Sequence, residues 1–98
     1  MEPLDLVAFL SVFARAFIQV LAGALVVTII VRVLLTWVPV RLPLGLADLV
    51  YSVSEAVLGP IRRALPAMGG LDLSPLVAII LIQVLERLAL QALRAVGL

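Results

Sequence analysis

Apolar residues run almost unbroken from Phe17 to Val38, FIQVLAGALVVTIIVRVLLTWV, about the 20 residues that a helix needs to cross roughly 30 Å of hydrocarbon. The run predicts a first transmembrane helix over residues 16–38. Trp37 stands at its end, where an indole favours the headgroup level, and Pro39 and Pro43 then forbid a continuing regular helix. Ahead of the span, Leu6, Val7, Phe9, Leu10 and Phe13 make an apolar side beside Asp5 and Arg15, so residues 1–15 read as an amphipathic helical extension. Ala22-Gly23-Ala24 has the small residues of a signal-peptide cleavage site. The flanks argue against one, because no basic residue precedes Arg15 and the apolar run continues to Val31.

A second apolar run follows Met68-Gly69-Gly70 and has a readable start in Leu71-Asp72-Leu73-Ser74-Pro75. Ser74 suits the N-cap, Pro75 the first helical position, and Asp72 the positive end of the helix dipole. A second transmembrane helix is expected over residues 74–96. Between the runs, Leu46, Leu49, Val50, Val53, Val57, Ile61 and Leu65 recur at helical spacing, with Asp48, Ser52, Glu55, Arg62 and Arg63 between them. Residues 46–65 therefore read as an amphipathic segment, too charged to span, that lies along the membrane surface and packs back on the spans. Gly59-Pro60 is expected to break or kink it, leaving a helix before and a basic turn after. The expected fold is an all-α membrane protein of one domain: two transmembrane helices joined by an amphipathic interfacial helix, a helical hairpin.

Composition reinforces the membrane reading. Of 98 residues, 65% are hydrophobic and 13% charged, where a soluble domain carries about 25% charged. A chain this short cannot hide that surface in a core of its own, so the partners it implies are a lipid bilayer and either copies of itself or another membrane protein. A net charge of +1 suggests no nucleic-acid groove. The chain has no cysteine and no histidine, which removes disulfides, the usual zinc and iron–sulfur ligands, thiolate nucleophiles and imidazole bases. Ser11, Ser52, Ser54 and Ser74 have no histidine to activate them, Gly69-Gly70 lacks the lysine of a phosphate loop, and Asp48 and Glu55 fall on the polar side of one helix. No catalytic residue, cofactor, metal or small-molecule substrate is expected, and the chain reads as a non-enzyme. Arg41, Arg62 and Arg63 lie in the connecting segment, against Arg15 and Arg94 at the other ends, which favours a cytoplasmic connection.

The charges near the membrane are the candidate interaction residues. Arg32 lies about a turn and a half inside Trp37, and it either snorkels outward or pairs with an acid. Asp72 is the favoured partner, then Glu55, then Glu86. Thr28 and Thr36 share its face, and Ala24 extends that face with a small residue, so this stripe reads as the inward side of the helix. Arg32, Glu55, Arg62, Arg63 and Asp72 all fall at one end of the two spans and are expected to form one polar cluster. Glu86 and Arg87 would sit near mid-depth if Trp37 and Pro75 were level. Gln83, Arg87, Gln91 and Arg94 form a polar stripe at helical spacing, with Glu86 beside it, that reads in three ways: a contact seam with a copy or another membrane protein, the shallow end of a short span, or the lining of a water-filled path.

Three blocks resemble a known family: Ile30-Val31-Arg32-Val33-Leu34-Leu35-Thr36-Trp37; Ser54-Glu55-Ala56-Val57-Leu58-Gly59-Pro60-Ile61-Arg62-Arg63-Ala64-Leu65-Pro66; and Gly69-Gly70-Leu71-Asp72-Leu73-Ser74-Pro75-Leu76-Val77-Ala78. Together, over residues 26 to 82, they are similar to the YggT (YlmG) family of small integral membrane proteins. Thr36 stands where that family usually has serine, and Ala56 where it has proline after the glutamate. The resemblance implies a bacterial cytoplasmic membrane or its plastid equivalent. It also implies roles in osmotic tolerance, in membrane and nucleoid organisation near the division machinery and, in plastids, in cytochrome maturation. The resulting expectation is a non-catalytic membrane scaffold or assembly factor, with a small oligomeric channel or transport accessory subunit as the alternative.

Overall fold

A computed structural model describes residues 5–38, 41–65 and 73–98. Within them lie three helices and no strand: α1 (Leu6–Trp37), α2 (Leu46–Ala64) and α3 (Ser74–Ala95). Asp5 opens α1, its Oδ1 accepting from the backbone N–H of Val7 at 3.1 Å and of Ala8 at 3.3 Å, which satisfies two otherwise orphaned donors. The helix then runs for 32 residues without a break. The amphipathic extension and the first span are thus one rod, about 48 Å long at 1.5 Å per residue. It ends at Trp37, because Val38 is extended (φ −119°, ψ 114°), as the residue before a proline prefers to be.

Gly45, at φ +70°, turns the chain into α2 in a left-handed conformation that glycine adopts without penalty. The expected break at Gly59-Pro60 does not occur: α2 is one helix of 19 residues with Pro60 inside it. Proline still removes one backbone donor. Two contacts offset that loss, since Leu58 is buried in the core shared with the other helices and Glu55 is bridged to Arg62 along one face across the proline. Tertiary packing outweighs the local preference here.

Helix α3 also starts differently from the sequence expectation. Leu73 holds the N-cap position with no side-chain capping bond, and its carbonyl already accepts from Val77 N–H at 3.0 Å, so Ser74 is the first helical residue and not the cap. Ser74 is buried, and Pro75 occupies the first turn as expected.

Each helix packs on both of the others. Their shared core is Ala22 and Ile29 from α1, Leu58 from α2, and Ala78 and Ile82 from α3. Alanines at the crossing let the backbones of α1 and α3 approach closely, which is how helices associate in lipid. The inward side of α1 is therefore the Ala22–Ile29 line, rotated from the expected stripe: Ala24 and Thr36 are exposed. The threonines need no partner helix because Thr28 and Thr36 donate to the carbonyls of Ala24 and Arg32, one turn back in their own helix. At the far end, Arg15 donates to the Leu98 carbonyl and ties the start of α1 to the residues after α3.

So small a core leaves most apolar side chains outside it. Phe13 is 63% exposed, Val20 70% and Trp37 77%. Both α1 and α3 are long and apolar enough to cross a membrane, whereas α2 is not.

Candidate functional site

The best-defined polar site lies where α2 crosses the Trp37 end of α1. Helical spacing puts Tyr51, Ser54, Glu55, Leu58 and Arg62 on neighbouring ridges of α2, and α1 presents Arg32 to them. Leu58 fills the core below, while the polar members receive the guanidinium. Arg32 Nη1 donates to Glu55 Oε2 at 2.6 Å and to the Ser54 hydroxyl at 3.1 Å. Its Cζ stands 5.3 Å from the centre of the Tyr51 ring, within cation–π range. The second carboxylate oxygen of Glu55 accepts from Arg62 Nη1 at 2.9 Å. One acid thus bridges a cation on α1 and a cation on its own helix.

Ser54 is fully buried and fully used, since its Oγ accepts from Arg32 and donates to the Val50 carbonyl at 2.6 Å. A hydroxyl at that position gives Arg32 a fixed acceptor deep in the contact. The Arg32 side chain is 18% exposed and the Glu55 side chain 49%, so the site is half sheltered and open on one side.

Among the expected cluster residues, Arg32, Glu55 and Arg62 meet. Arg63 is exposed beside Gly59. Asp72, the favoured partner of Arg32, lies outside the described residues, and Glu55, second in that order, holds the guanidinium. Ser54 and Tyr51 complete the site from outside the expected cluster. The signal for them lies in helical spacing: Tyr51 is four residues before Glu55, and Ser54 is four before Leu58, itself four before Arg62. Ser74 and Pro75 open α3, while Gln83 and Arg87 are exposed farther along it. Glu86 is half-buried and lines a groove of about 230 Å³ between α1 and α3, with Ile18, Ala22 and Leu25 opposite it. That level is about 18 to 28 Å from Trp37 along α1, past the middle of a slab about 30 Å thick. The offset between the end of α1 and the start of α3 sets it farther from Trp37 than a level alignment of Trp37 and Pro75 would.

The hydrogen bond from Arg32, with the charges of both arginines, holds the Glu55 carboxyl below its ordinary value of 4.5 despite some desolvation. A carboxyl depressed in the folded state stabilises the fold above its unfolded value, and that contribution is lost as pH falls through the folded value. Lowering the pH below about 4.5 is therefore expected to destabilise the native chain more than Glu55→Gln, measured as thermal midpoint against pH in one detergent. Parallel profiles for the two would show that the carboxylate is not held by the arginines.

Among the described residues no three acids cluster closely enough to hold a metal ion. The arrangement has a carboxylate neutralised by two cations and a hydroxyl with both functions engaged. It is suited to fastening α2 to α1.

The comparisons with known proteins agree with the family resemblance. Residues 7–93 match the CCB3/YggT family. The chain is 33% identical over 91 residues to the uncharacterized protein PA0392 of Pseudomonas aeruginosa, covering 93% of this chain and 42% of that protein. It is 31% identical over 86 residues to the uncharacterized protein YggT of Escherichia coli K12, covering 79% of this chain and 46% of that protein. A third relative, an uncharacterized protein in the proC 3' region of Vibrio alginolyticus, is 37% identical over 76 residues, 40% of its length. The chain thus spans less than half the length of these curated relatives. No solved structure matches it. With a family match over nearly its whole length and three helices of which two can cross a membrane, the chain belongs to the CCB3/YggT family.

Proposed function

We propose that this chain is a non-catalytic membrane scaffold: a two-span hairpin that holds α2 along one face of the bilayer, where other membrane components dock. The observation that carries the reading is the Arg32–Glu55–Arg62 bridge, which fastens a charged helix to the end of an apolar span. At this site the Glu55 carboxylate and the Ser54 hydroxyl are both engaged in the fastening, which supports a structural role for them. In this reading the polar side of α2 lies at the headgroup level, and the excess of Arg41, Arg62 and Arg63 in the connection over Arg15 and Arg94 at the other ends supports a cytoplasmic face. The roles in osmotic tolerance and membrane organisation that the family resemblance implies suit such a platform.

Reconstitution of the pure protein into liposomes tests the scaffold against a channel. A scaffold gives no ion flux above empty vesicles. In the same sample a nitroxide on Ser52→Cys, clean because the chain has no cysteine, reports the depth of α2 and should sit at the headgroups. Flux that scales with protein, or a label in the aqueous phase away from the lipid, would overturn the reading.

A further inference from the structure

The outer face of α3 carries polar groups that the fold leaves unused. Ala78 and Ile82 turn inward to the core. Leu76, Gln83 and Leu90 follow one another at seven-residue spacing around the side of the helix, and residues seven apart drift by only about 20°. Glu86 is three residues beyond Gln83 and Arg87 four beyond, so the acid falls on one flank of this line and the base on the other. Gln83 and Arg87 are exposed, and Glu86 is half-buried in the groove. Among the described residues none of these three side chains has a hydrogen-bond or ion-pair partner.

A bilayer gives that pattern a specific meaning. Two copies inserted in the same orientation place every residue at the same depth, so a charge can be matched by a copy only if its opposite sits beside it at the same level. Glu86 and Arg87 satisfy this condition, being separated by about 1.5 Å of rise. In a parallel pair of helices, one flank of the first faces the opposite flank of the second, as in the charged flanks of coiled coils. Glu86 then meets the partner's Arg87, and Arg87 meets the partner's Glu86. On the axis between them, the Gln83 amides each donate and accept once.

We propose that α3 is the surface on which a second copy of this chain docks, as a parallel two-fold dimer with reciprocal Glu86–Arg87 pairs on either side of Gln83. The dimer rests on the scaffold reading and supplies it with a contact. Pairing the charges across the interface also lowers the cost of leaving them in lipid. Leu76 and Leu90 complete the seam above and below, packing against their own copies.

The test uses the absence of cysteine in the whole chain. Gln83→Cys, oxidised in liposomes at low protein density, should form a disulfide-linked dimer, while Val27→Cys on exposed α1 should not. Adding Glu86→Arg should lower the linked fraction about tenfold, a weakening typical of losing interhelical polar contacts in lipid. Adding both Glu86→Arg and Arg87→Glu should restore it, and this restoration separates a broken pair from a broken fold. Equal linking at Val27 and Gln83, no rescue by the swap, or, in native membranes, linking of Gln83→Cys to a different protein would overturn the dimer. Those outcomes would leave the scaffold reading in place, since that is read from ion flux and the depth of α2.

Discussion

Ile29→Ala is expected to destabilise the three-helix unit by about 2 to 3 kcal/mol, the lower half of the range for emptying a buried aliphatic site. Ile29 is completely buried, and it is the largest side chain that α1 contributes to the core. In water the loss would combine a transfer part with a cavity part. When helices separate in lipid or detergent, acyl chains cover the freed isoleucine, so the transfer part shrinks and the lost packing dominates. Thermal unfolding in a single detergent measures it, with Val27→Ala, exposed on the same helix, as the control. Equal effects at the two positions would mean that α1 does not meet α2 and α3 along the Ile29 line.

Ala78→Leu is expected to cost about 1 to 3 kcal/mol for the opposite reason, overpacking. Ala78 has no exposed surface, and it lies with Ala22 in the core where α1 and α3 approach each other. Three extra carbon atoms have no void to enter and must push the helices apart. The displacement should reach Leu58 and loosen the Arg32–Glu55 contact, because all three helices share this core. Thermal unfolding gives the size. A spin-label distance between Val27→Cys and Ile80→Cys, both on exposed surface, gives the geometry and should lengthen. An unchanged distance and midpoint would place the α1–α3 contact elsewhere.

The tolerance of Pro60 and the loss of the Ser74 cap illustrate one rule. Proline and N-cap preferences are local and worth about 1 to 3 kcal/mol each, and a buried helix face can outweigh them. Leu58 and Gly59 are buried beside Pro60, and Ser74 is itself buried. At Asp5, where the surroundings are exposed and nothing competes, the local capping preference is obeyed.

The sequence alone determined that this chain has two spans and a charged helix between them. Those features follow from unbroken apolar length and from a helical repeat interrupted by charge, and both are properties of consecutive residues. It also narrowed Arg32 to two resting places, snorkelling outward or pairing with an acid near the membrane boundary, because an arginine at that depth has few others. Which acid was a tertiary matter. Glu55 is 23 residues from Arg32 along the chain, and it reaches the guanidinium because α2 lies across the end of α1; Arg62 joins it from beyond Pro60 because α2 stays helical there. The inward face of α1 was also decided by packing: Thr28 and Thr36 satisfy themselves within their own helix, leaving Ala22 and Ile29 to meet the alanine and isoleucine of α3. The depth of Glu86 depended in the same way on where α3 begins relative to Trp37, an offset between two helices that a pattern of residues along one chain does not encode.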